Sequence, residues 1–61
     1  MFITFSEKAI INTSEISHAL KIDARDEFYI KLVMKTGEEI TRKFESELDR
    51  DKSFDDLLKI L

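Results

Sequence analysis

The chain has 61 residues, of which 43% are hydrophobic, 38% charged and 10% aromatic, and its net charge is −3. That balance excludes disorder, because a disordered chain carries far fewer apolar residues, and the length bounds it at one domain, residues 1–61. With no Cys, one His and one Gly, the sequence also excludes disulfide frameworks, thiolate chemistry, Cys-based or His-rich metal centres and Gly-rich phosphate loops.

No cofactor is expected. The apolar runs fall far short of the roughly 20 residues that span a bilayer. Met1–Phe5 lacks the basic leader and long apolar stretch of a secretory signal, so the expected location is the cytoplasm, with no membrane partner. Seven acids and seven bases balance over residues 1–44, and the whole net charge lies in residues 45–61. Bulk attraction to nucleic acid is therefore disfavoured. A chain of about 60 residues buries only about 60% of its unfolded surface. Without metal or disulfides, a second copy is the expected source of extra stability.

In chain order, Phe2–Phe5 and Ala9–Asn12 read as short edge strands around a weak Ser6-Glu7-Lys8 turn, with one long strand as the alternative. Asn12-Thr13-Ser14-Glu15 is turn chemistry. In residues 16–23 the apolar Ile16, Leu20 and Ile22 alternate with polar residues and share a face with His18, the pattern of a half-buried strand. Residues 23–27 read as the following loop. Residues 28–35 alternate most clearly, with Phe28, Ile30, Leu32 and Met34 on one face and Tyr29, Lys31, Val33 and Lys35 on the other.

Gly37 marks the next turn. A two-residue loop would place Val33 opposite Ile40 and mix the faces. A three-residue loop, Lys35-Thr36-Gly37, sets Leu32 against Ile40 and Phe28 against Phe44, with Gly37 in the left-handed position of a bulged hairpin. Residues 40–45 form the partner strand. By the same face-matching, Ile22 pairs with Phe28, Leu20 with Ile30 and His18 with Leu32. Residues 47–52 read as an acidic connector. Phe54, Leu57, Leu58 and Leu61 form a helical stripe with Ser53 as N-cap.

The expected fold is α+β: a small antiparallel meander of three core strands plus one or two N-terminal edge strands, with one C-terminal helix on one face. The expected core is Phe5, Ile10, Ile16, Leu20, Ile22, Phe28, Ile30, Leu32, Ile40, Phe44, Phe54, Leu57, Leu58 and Leu61.

On the face away from the helix this register places Lys21, Tyr29 and Lys43 in one row, with Lys31 and Val33 in the rows beside it. An aromatic ring between ammonium groups can stack a base while the lysines hold phosphate. The plainer reading is that lysine stems cover an exposed Tyr, and a third is that Tyr29, Ala19 and Val33 centre a protein interface. Arg42 falls on the apolar face and needs a partner there, with Asp55 or Asp56 as the expected carboxylate, or a route to water. His18 is the lone acid–base candidate, and no triad or metal spacing surrounds it. Glu45, Glu47, Asp49 and Asp51, if extended, would line one side at roughly 6.6–6.8 Å, near a phosphate repeat.

The expected function is a non-enzymatic cytoplasmic protein-interaction module, homodimeric or bound to another protein, with the exposed sheet face or the N-terminal edge strands as the partner surface. Single-stranded nucleic-acid binding through Lys21, Tyr29, Lys31 and Lys43 is the first alternative. The second is an acidic inhibitor of the phage type that mimics nucleic acid through residues 45–56.

Overall fold

A computed structural model describes residues 1–61. The fold is α+β. Strands β1 (Phe2–Ser6) and β2 (Ala9–Asn12) form an antiparallel hairpin of their own, and β3 (Ile16–Ala24), β4 (Glu27–Met34) and β5 (Glu39–Phe44) form a three-stranded antiparallel meander. Helix α1 (Glu47–Ile60) follows. A single 3₁₀ turn, Thr13–Glu15, joins hairpin to meander, with the Asn12 carbonyl oxygen of the side chain accepting from the Ser14 amide at 3.2 Å.

The β4–β5 hairpin follows its alternation. Phe28 lies opposite Phe44 and Leu32 opposite Ile40. The Gly37 amide donates to the Met34 carbonyl at 2.9 Å and the Met34 amide to the Glu38 carbonyl at 2.8 Å, closing the three-residue loop. Gly37 has φ +94°, a conformation that side chains with a Cβ rarely adopt.

The β3–β4 register departs from the expected one by a residue. Arg25 and Asp26, at φ 49° and 65°, form a two-residue turn that pairs Ala24 with Glu27. Ile22 then lies opposite Tyr29, Leu20 opposite Lys31 and His18 opposite Val33. Two consecutive left-handed residues match the right-handed strand twist, and this turn usually carries Asn or Gly. Because side chains alternate, a one-residue slip moves a whole strand to the other face. Ala19, Lys21 and Asp23 therefore face inward, while His18, Leu20 and Ile22 face outward. A bulge between Ile16 and His18 turns Ile16 back into the core.

Helix α1 begins seven residues before the expected start. Ser46, in extended conformation, caps it by accepting from the Asp49 amide at 3.1 Å. Glu47 and Asp49 occupy the first turn and Lys59 the last, matching the helix dipole. The expected connector is thus the first half of the helix. The apolar stripe starts only at Phe54, which makes Ser53 look like the cap: Leu48 is 77% exposed, and the inward residue of the first turn is Arg50.

Helix and N-terminal hairpin pack on one side of the meander. The core joins Phe5 and Ile11 from the hairpin, Ile16, Ile30, Leu32, Met34 and Phe44 from the sheet, and Leu57 from the helix. Ile30 and Leu32 are wholly buried. Five expected core residues lie elsewhere. Ile10 points off the far face of the hairpin, opposite to buried Ile11. Leu58 and Leu61 are exposed on and just after the helix, and Leu20 and Ile22 sit on the outer sheet face.

Candidate functional site

The two faces of the meander differ in kind. Inward, Asp23, Phe28 and Phe44 form one row, Lys21, Ile30 and Arg42 the next, and Ala19, Leu32 and Ile40 the third. Outward, the rows are Ile22, Tyr29 and Lys43; Leu20, Lys31 and Thr41; and His18, Val33 and Glu39. The hairpin and the helix both lie on the other side, and none of these nine outward side chains is buried.

Tyr29, Lys31, Val33 and Lys43 share the outer face as expected, and Lys21 does not join them. Lys21 points at the helix, with its Nζ 3.4 Å from Asp51 and 5.0 Å from the centre of the Phe54 ring. The expected Lys–Tyr–Lys row is therefore an Ile–Tyr–Lys row. The stacking platform with an ammonium on each side of Tyr29 is absent.

The lysines that remain on the face are paired. The Glu27 carboxylate accepts from the Tyr29 hydroxyl at 2.6 Å and lies 2.9 Å from Lys43 Nζ, while Lys31 Nζ is 3.2 Å from Glu39. These contacts show in the titration of the first three groups. The Tyr29 hydrogen bond, then the bond and charge of Lys43, hold Glu27 below the usual carboxylate range. The bond to Glu27 raises both the Tyr29 hydroxyl and the Lys43 ammonium. Two acids and two bases lie on the outer sides of the three strands, so this face is neutral on a chain of net −3.

The inward Asp23 of β3 is held by Arg50, which is 3% exposed. Its guanidinium donates to the Asp23 carboxylate, to the Ile22 carbonyl at 3.1 Å and to Asp51 at 3.0 Å, and sits 5.4 Å from the centre of the Phe28 ring. Hydrogen bonding to Asp23 pushes the Arg50 guanidinium upward, and the bond from Arg50, followed by Lys21, pulls Asp51 downward. Sequence reading missed Arg50 because one Arg within an acidic run carries no periodic signal.

Other expected residues take different roles. Arg42 lies on the inner face as expected, but its Nη1 donates to the Phe5 carbonyl at 2.9 Å, and its guanidinium stacks 4.5 Å from the Phe44 ring centre. A backbone carbonyl replaces the expected Asp55 or Asp56 because β1 runs past this edge of the sheet. His18 is exposed, on the outer face rather than on the expected core-facing side of β3, with Nδ1 3.2 Å from the Ser17 hydroxyl. The acidic residues form no extended strip. Glu47, Asp49 and Asp51 are helical, where residues two apart are turned by about 200°, and Glu45 precedes the helix. Asp51 is moreover occupied by Arg50 and Lys21. This removes the phosphate-like spacing on which the inhibitor reading rested.

No group of three or more His, Asp and Glu side chains converges as a metal site, and no helix is long and apolar enough to cross a membrane. Set against known protein families, characterised proteins and solved structures, the chain matches none.

Proposed function

We propose that the chain is a non-enzymatic cytoplasmic interaction module that pairs with a second copy of itself through the outer face of the meander. The observation that carries this reading is the inversion of β3. Its apolar Leu20 and Ile22 face solvent beside Tyr29 and Val33, while its charged Lys21 and Asp23 face the helix. In an isolated domain the apolar side of a half-buried strand turns to the core. A strand turned the other way gains by covering its outer side with a partner.

Charge supports a copy of the chain as that partner. The face carries Lys31 and Lys43 tied to Glu39 and Glu27, so two such faces meet without net repulsion, as a self-complementary twofold contact requires. Three strands about 4.8 Å apart, the longest of nine residues, give a face of about 30 by 15 Å. That is well below the roughly 800 Å² that each side of a standard interface buries. The expected complex is therefore a micromolar dimer. Single-stranded nucleic acid is the weaker reading, since Lys21 has left the face and its remaining lysines are neutralised.

Sedimentation equilibrium tests this. The wild-type chain should reach a dimer in the high micromolar range, and Ile22→Lys, which places a charge on the apolar β3 side of the face, should remain a monomer with unchanged circular dichroism. A wild-type monomer throughout, or a dimer indifferent to Ile22→Lys, contradicts the proposal.

A further inference from the structure

On the opposite side of the sheet, a cleft of about 280 Å³ opens between β1 and the C-terminal half of α1, above β4 and β5. Ile30, Phe44 and Leu57 form its floor and Ile3 and Ile60 its apolar walls. At the rim stand Arg42 from the sheet side and Asp56 and Ser53 from the helix. We propose that this cleft binds a free α-amino acid with a large apolar side chain, of the leucine or phenylalanine class. The site is separate from the self-association surface and does not depend on it.

Three observations support the assignment. Arg42 has no carboxylate within 4 Å, although acids outnumber bases in this chain by 13 to 10. Among the side-chain cations without a carboxylate partner it is the one fixed in place, by the Phe5 carbonyl and the Phe44 ring. A guanidinium has five donors, and Arg42 uses one, so the others are free for a planar carboxylate. Asp56 lines the same cleft and makes no ion pair. A plain anion would meet its repulsion, whereas the ammonium of a zwitterion would meet its attraction. Finally, the volume is just below the roughly 300–1,000 Å³ of pockets for drug-sized ligands, and the floor is apolar. That suits one apolar side chain and its α-carbon, with the two charges left at the partly hydrated rim.

Titration of the ¹⁵N-labelled chain with L-leucine, followed by amide shifts, tests the proposal. Saturable shifts should cluster at residues 3–5, 30, 42–44 and 53–60 and leave the amides of the outward-facing His18, Leu20 and Ile22 unmoved. Hydrogen bonds to charged groups set the expected discrimination: leucine amide, which lacks the carboxylate, and 4-methylpentanoate, which lacks the ammonium, should each bind roughly tenfold or more weakly. L-Alanine, without the apolar side chain, should bind more weakly too. Arg42→Met should abolish the shifts while retaining the wild-type spectrum elsewhere, and Asp56→Asn should restore parity between leucine and 4-methylpentanoate. No shifts at tens of millimolar leucine overturn the site. Equal binding of 4-methylpentanoate or alanine to the wild-type chain overturns the amino-acid assignment.

Discussion

Arg50, buried near the start of α1, reaches across to the surface carboxylate of Asp23 near the end of β3, and this contact fixes which side of β3 meets the helix. The same guanidinium takes the Ile22 carbonyl, so it grips backbone and side chain together. Reversing β3 would bury Leu20 and Ile22 but take from the buried Arg50 its carboxylate and its carbonyl on the sheet, leaving only Glu47 and Asp51 of its own helix. Stripping partners from a buried charge is strongly destabilising.

Replacing Arg50 by Met should therefore cost more than its position in a charged run suggests. Thermal unfolding followed by circular dichroism should show the midpoint lowered by about 10 °C or more. Asp23→Asn should lower it less, because an amide oxygen still accepts from the guanidinium. An unchanged midpoint in Arg50→Met would show that the contact does not fix the strand.

The Arg25-Asp26 turn is strained by its residue types. Both residues hold positive φ, where a Cβ is disfavoured. Asp26→Gly should relieve that strain and stabilise the chain by about 0.5–1 kcal/mol in urea unfolding, with no change in register. Destabilisation would mean that the Asp26 side chain contributes more than its backbone strain costs.

Burial separates neighbours that sequence periodicity treats alike. Leu57 is 7% exposed and Leu58 59%. Leu57→Ala should cost about 2–5 kcal/mol, and Leu58→Ala within about 0.5 kcal/mol of zero. Ile11→Ala and Ile10→Ala should divide in the same way. Equal losses within either pair would contradict the packing of the helix or the hairpin.

Stability should fall at both ends of the pH range. Glu27 and Asp51 titrate below their usual range in the folded chain, so their contribution is complete above about pH 5 and lost as pH falls through the lowered values. Tyr29 and Lys43 titrate above theirs, so their contribution is complete below about pH 9 and lost as pH rises through the raised values. Urea midpoints across pH should trace a plateau with two falling limbs. Glu27→Gln should weaken the alkaline limb, since Glu27 is the main cause of both upward shifts. An alkaline limb unaltered in that variant would show that the Tyr29–Glu27–Lys43 cluster is not formed in solution.

The legible parts of the fold are those where local chemistry and burial agree. In β4 and β5, Gly37 fixes the loop, and the apolar residues of β4 face the core. In β3 they conflict. Its turn uses Arg and Asp where Asn and Gly would announce it, and its apolar residues face outward because Lys21 and Asp23 have helix partners 27 to 30 residues away. That pairing is tertiary and leaves no periodic trace. The helix start was hidden for the same reason, since Arg50 is the inward residue of the first turn. Of the candidate surface, Tyr29, Lys31, Val33 and Lys43 follow from β4 and β5 alone. Leu20 and Ile22, which make the surface apolar, follow only from the β3 register.

Isotope-filtered nuclear Overhauser spectroscopy on an equimolar mixture of ¹³C-labelled and unlabelled chain tests the twofold contact most directly. Cross-peaks between the Tyr29 ring of one copy and the methyl groups of Leu20, Ile22 or Val33 of the other are the predicted result. Intermolecular cross-peaks confined to Leu58, Leu61, Phe2 or Ile10, or none at concentrations where sedimentation finds a dimer, would contradict it.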